Sequence, residues 1–223
     1  KSSGVIADAF DKGSYIKVIP EEQTIVGYTT RNSGGVPENL RNWFVMKFDR
    51  PFESAQVYNG KDAVSGNEFE GEHALAAVKF ATRRGDKVNV AVASSFISLE
   101  QAYTNLREVE GKDLEAVKAD AKARWNDILG RIEVSGGSTD QYRTFYSCLY
   151  RSTLFPRKFY EIDKNGKVLH YSPYNGKVCE GYMYTDTGFW DTFRALFPLL
   201  NLVYPSINKE IQLGLVNIAK ENP

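Results

Sequence analysis

Apolar and polar positions alternate with period two along the first part of the chain. Val88, Val90 and Val92 alternate with Asn89, Ala91 and Ala93, the pattern of a strand with one face in a core. Similar short runs occupy residues 24–29, 43–48, 55–58 and 75–81. Turn-forming clusters separate them: Asn32-Ser33-Gly34-Gly35, Asp49-Arg50-Pro51, Asn59-Gly60 and Arg84-Gly85-Asp86. Short strands divided by such breaks, with no helical crossover between them, predict an antiparallel β-sandwich.

The period changes at Ser98, where Ser98 and Gln101 have the spacing of a capping box. Helices are predicted over 99–110 and 112–129, divided at Gly111. The second carries Leu114, Val117, Ala121, Trp125, Ile128 and Ile132 in one stripe, enough to cover a core. After Gly136-Gly137, a third helix over 138–155 has a wide stripe from Tyr142 to Leu154, and Pro156 stops it. Asn165-Gly166, between 159–163 and 167–171, predicts a hairpin. A loop containing Pro173, Gly176 and Gly181 then leads to a helix over 188–204, which Pro198 should kink or divide. A final helix over 206–220 presents Ile207, Ile211, Leu215 and Ile218, a face expected to lack its partners. The domains predicted are an incomplete sandwich over 1–97, a helical linker over 98–137 and a truncated all-α domain over 138–223.

Charge narrows the function. The 223 residues carry 28 Lys+Arg against 28 Asp+Glu, which argues against a nucleic-acid surface. No apolar run reaches the roughly 18 residues of a membrane-spanning helix. The chain opens Lys1-Ser2-Ser3, so any targeting segment is expected to be absent or removed. Cys148 and Cys179 are too few for a disulfide framework and are expected as thiols. His73 and His170 lack metal-ligand spacing, so no transition-metal site is expected. The aromatic share is 13%, weighted towards residues 142–204, and Tyr and Trp beside polar groups suit a sugar cleft.

Candidate chemistry concentrates between Gly181 and Arg194. Asp186 could cap the following helix. Asp191 and Arg194, three apart, could form an ordinary intrahelical pair, or could join Trp190 in a sugar-binding platform. Spacing leaves both open.

Longer blocks carry a resemblance. Phe145-Tyr146, Leu154-Phe155-Pro156-Arg157, Phe159-Tyr160, His170-Tyr171-Ser172-Pro173-Tyr174 and the whole of 181–198 resemble glycoside hydrolase family 92, the calcium-dependent α-mannosidases. The resemblance implies an amino-terminal β-sandwich, a helical linker and the first helices of an (α/α)6 toroid. It also implies inverting, exo-acting hydrolysis of terminal mannose from glycans, of α-1,2 type, with calcium as cofactor and a secreted or periplasmic location. By the same resemblance, Trp190 and Asp191 contact the terminal mannose and Arg194 organises Asp191. The catalytic acid, the base and the main calcium ligands are expected beyond Pro223, so Glu161, Glu180, Asp186 and Asp191 receive no acid or base role. The alternative that sandwich and aromatics alone allow is a non-catalytic carbohydrate-binding module.

Overall fold

The computed structural model describes residues 3–222, with the side chain of Asp191 outside the described residues. The chain divides into two compact units. One takes residues up to 110, 161–167 and 171–178; the other takes 111–160, 168–170 and 179 onwards.

The first unit is built on nine strands: β1 (Ser3–Asp8), β2 (Ser14–Ile19), β3 (Thr24–Thr29), β4 (Asn42–Phe48), β5 (Ser54–Asn59), β6 (Asp62–Val64), β7 (Glu68–Gly71), β8 (Ala74–Phe80) and β9 (Val90–Ser95). They form two sheets, ordered β1-β8-β5-β6 and β7-β2-β3-β4-β9, and every described pairing is antiparallel. Inward residues of both sheets share one core: Ile16, Val18 and Ile25 from one, Val57, Ala76 and Val78 from the other. Alternate side chains of a strand point to opposite faces, which explains the buried set Ser14, Ile16 and Val18 in β2.

The chain continues into α1 (Leu99–Leu106), whose Ala102 and Leu106 cover Val26 and Val45 on the outer face of the five-stranded sheet. This helix reverses the expected face of β9. Ala91 and Ala93 pack towards α1, whereas Val90 and Val92 are 43% and 56% exposed. Small residues are needed where a helix lies close on a sheet, so hydrophobicity alone selects the wrong face. The capping box at α1 is half formed: Ser98 Oγ accepts from the Gln101 N–H at 3.1 Å. The Gln101 amide instead donates to Asn105 Oδ1 and the Ile162 carbonyl.

Gly27 in β3 has no room for a side chain. A Cβ there would stand 2.2 Å from the Tyr15 carbonyl oxygen and 2.7 Å from Phe44 Cζ. Because one obstacle is the backbone of the neighbouring strand, Gly27→Ala is expected to cost about 3 kcal/mol. Chemical denaturation of the variant checks this; an unchanged midpoint would show that β2 and β3 can separate freely.

The second unit begins with α2 (Leu114–Leu129) and α3 (Thr139–Ser152). No residue of α2 is buried, and Leu114 is 73% exposed. Only the end of the predicted stripe, Ile128 and Ile132, joins the core. The full capping box lies at α3, where Ser138 and Gln141 each bond the other's backbone N–H. Short strands follow along the chain: β10 (Arg157–Lys158) in this unit, β11 (Glu161–Ile162) in the first unit, β12 (Val168–Tyr171) and β13 (Val178–Glu180) with residues in each, and β14 (Tyr184–Thr185) again in this unit. The predicted turn at Asn165-Gly166 forms, with Asp163 Oδ1 accepting from the N–H groups of Asn165 and Lys167.

The last helices are α4 (Phe189–Thr192), α5 (Leu196–Val203) and α6 (Pro205–Glu221). The predicted division occurs at 193–195, not at Pro198. Pro198 sits in the first turn of α5, where its missing N–H has no helical acceptor to lose. Pro205 begins α6 for the same reason. The α6 face is not left bare: Ile211 is 1% exposed, in a core with Leu149, Tyr184, Leu200 and Tyr204. The more exposed apolar residues of α6 are Leu213 and Val216.

Candidate functional site

The loop entering α4 is fastened from below by a single stripe of α6. Glu210 Oε2 accepts from Tyr184 Oη at 2.8 Å and from Tyr160 Oη at 3.1 Å. One turn on, Gly214 lies so near that a Cβ would stand 3.3 Å from the Tyr184 nitrogen. Asn217 Nδ2 donates to the Tyr182 carbonyl at 2.9 Å, and a Cβ on Gly181, whose φ is +108°, would collide with the same amide at 2.7 Å. These positions are spaced four and three apart, so they share one helix face.

Burial pushes the Tyr184 phenol far up, and the bonded Glu210 carboxylate adds to the effect. Burial also raises Tyr160, against the lowering influence of Lys158. A raised phenol contributes stability that is fully present below its unfolded value of about 10 and is lost as pH rises through the folded value. Stability is therefore expected to hold to about pH 10 and then fall by up to about 1.4 kcal/mol per pH unit for each phenol. Denaturation across that range, with Tyr184→Phe giving a shallower slope, checks the assignment.

Asp186 does not cap α4. The N-cap is Gly188, and among the described residues no side chain caps the helix there. Asp186 has φ +63°, and its carboxylate takes the Arg157 Nε–H at 2.6 Å and the Thr185 hydroxyl at 3.0 Å. The bond from Arg157 holds its carboxyl below the usual range, outweighing partial burial. That pair lies across the β10–β14 ladder and fixes the loop, while suiting Asp186 poorly to donate a proton. Thr187 Oγ1, next along, is buried without a hydrogen-bond partner among the described residues.

The aromatic side chains in and just after α4 face outwards. Trp190 is 80% exposed, with Phe189 and Phe193 at 53% and 47%. The Arg194 guanidinium lies over both Trp190 and Phe193, at 5.9 and 5.2 Å from the ring centres, a cation–π arrangement. Asp191 is within α4, but its side chain lies outside the described residues. The structure thus brings Trp190 and Arg194 together. An exposed indole steadied by a guanidinium can stack on the apolar face of a sugar. Glu161 belongs elsewhere: it accepts from the Phe96 N–H and the Asn105 amide in the first unit.

Calcium takes six to eight oxygen ligands. Among the described residues, the group of His, Cys, Asp and Glu close enough to share an ion is His170, Cys179 and Glu221. Its nitrogen and sulfur do not fit calcium. Sequence spacing gives no sign of this trio, whose members are 9 and 42 residues apart along the chain.

Two family models cover the chain: the glycosyl hydrolase family 92 N-terminal domain over residues 2–95 and the family 92 catalytic domain over 101–223. The chain belongs to glycosyl hydrolase family 92. It is similar to the family GH92 inverting mannosidase BT2199 from Bacteroides thetaiotaomicron VPI-5482, with 44% identity and a TM-score of 0.95 over 99% of this chain and 30% of that one. The family GH92 α-mannosidase BT3965 from Bacteroides thetaiotaomicron, solved with mannoimidazole, shares the fold at 24% identity and a TM-score of 0.86, again over 99% of this chain and 30% of that chain. The chain therefore spans less than a third of the length of these solved neighbours. None of the curated proteins compared matches it.

Proposed function

We propose that this chain is part of an inverting exo-α-mannosidase and supplies an aromatic wall of the pocket for the terminal mannose. The observation that carries the reading is the match along 99% of the chain, at 44% identity, to an inverting mannosidase. The exposed Trp190 face, held by Arg194 and by the Glu210-anchored loop, gives that wall a physical form. Trp190 stacks on the sugar, Asp191 accepts hydrogen bonds from its hydroxyls, and Arg194 keeps the indole in place. Inversion needs a proton donor and a second carboxylate that activates water, about 6.5–9.5 Å apart. Neither role is assigned within this chain. Calcium dependence, preference for α-1,2 linkages and a secreted or periplasmic location belong to the same proposal and rest on the family resemblance.

The test is hydrolysis of an aryl α-mannoside and a panel of α-mannobioses by the purified full-length protein, with and without a chelator. Turnover that the chelator abolishes and calcium restores is the expected result. Glycan binding without turnover would replace this reading with a carbohydrate-binding module.

A further inference from the structure

We propose that His170, Cys179 and Glu221 form a binding site for a zinc-class divalent metal ion. All three belong to the second unit. His170, on β12, is fully enclosed, and its Nδ1 lies 2.8 Å from the Gly181 carbonyl oxygen. A carbonyl only accepts, so Nδ1 carries the hydrogen. The other ring nitrogen, Nε2, then faces the two oxygens of Glu221 at 3.0 and 3.2 Å. A lone pair and a carboxylate repel unless a cation lies between them. The cation is a proton or a metal ion.

The third donor decides in favour of the metal. Cys179 on β13 brings Sγ to within 4.8 Å of the other two ligand atoms. An imidazole, a thiolate and a carboxylate together are the ligand types of zinc and related borderline ions, not of calcium or magnesium. Metal bonds of about 2.0–2.2 Å from nitrogen and oxygen put tetrahedral neighbours about 3.3–3.5 Å apart, so the His170–Glu221 separations of 3.0 and 3.2 Å need widen only slightly to admit an ion. A ring N–H given to a backbone carbonyl is also how metal-binding histidines are commonly oriented. His170 and Cys179 stand on strands and Glu221 on the last turn of α6, so the donors are held by regular backbone. Cys179 is partly exposed, which leaves an ion a way in and a solvent ligand a fourth position.

The test uses the full-length protein, stripped with a chelator and then kept in excess calcium so that hard-oxygen sites are occupied. Titration with Co²⁺ should produce a thiolate-to-metal charge-transfer absorption that saturates at one ion per chain, and Zn²⁺ should displace it. Cys179→Ser should abolish the absorption and weaken Zn²⁺ binding at least about a hundredfold, more than loss of a group that merely orients a ligand. Cys148→Ser, at the exposed thiol, should change neither. A wild-type protein without the absorption, or an absorption that survives Cys179→Ser, would overturn the site and leave a proton shared by His170 and Glu221.

Discussion

Trp190→Ala in the full-length enzyme is expected to lower kcat/KM on α-mannosides by about thirty- to a hundredfold. The side chain is 80% exposed, so its removal uncovers little core, and unfolding should move by less than about 0.5 kcal/mol. What is lost is the face on which a sugar would rest. Covering about half of an indole removes roughly 100 Å² of apolar surface from water, worth about 2.5 kcal/mol at 25 cal/mol per Å². Expressed in the transition state, that energy corresponds to about two powers of ten in rate. Arg194→Ala should lose less, about twofold to fivefold, because it removes only the cation–π support of about 0.5–1 kcal/mol. Steady-state kinetics and thermal unfolding on the same samples separate the possibilities. A normal kcat/KM in Trp190→Ala would end the assignment of this face to substrate.

Glu210→Ala should give the largest loss of structure. Two phenols, Tyr184 and Tyr160, donate to one carboxylate oxygen, and Tyr184 is only 4% exposed. Each bond to a charged acceptor is worth about 1.5–3 kcal/mol, and the truncated residue leaves both hydroxyls without it. A total of about 3–6 kcal/mol is expected. Glu210→Gln keeps an acceptor at the same place and should restore most of that loss. Hydrogen exchange is the direct measurement, because the amides of 181–188 should lose protection in Glu210→Ala and recover in Glu210→Gln. Equal protection in wild type and Glu210→Ala would show that α6 does not hold the loop.

Legibility in the sequence followed the range of the forces involved. Strand β3 is readable because its period-two pattern and its turns are local. The pattern also exists in β2, as Ser14, Ile16 and Val18, but there the first inward residue is a serine, whose hydroxyl bonds the Phe10 carbonyl and the Ala74 N–H. Strand β1 hides for another reason: Ile6 is 72% exposed while the neighbouring Ala7 is buried, so apolar character does not mark its inner face. The inverted face of β9 has the same origin, a helix that demands small residues. Trp190 and Arg194 were legible as neighbours on one helix start. The stripe Glu210, Gly214, Asn217 and Glu221 was not, because its partners Tyr184, Tyr182 and His170 lie 26, 35 and 51 residues away from Glu210, Asn217 and Glu221. A regular spacing of polar and small residues along α6 was the available signal, and it becomes meaningful only when a partner segment is known.

The stereochemistry of the first product tests the proposed reaction most directly. Proton NMR of an α-mannoside treated with the full-length protein resolves the two anomers of mannose before they interconvert in water. β-Mannose is expected to appear first and the α anomer later, as the free sugar equilibrates. Release of α-mannose first, or no release of mannose at all, would contradict the proposed reaction.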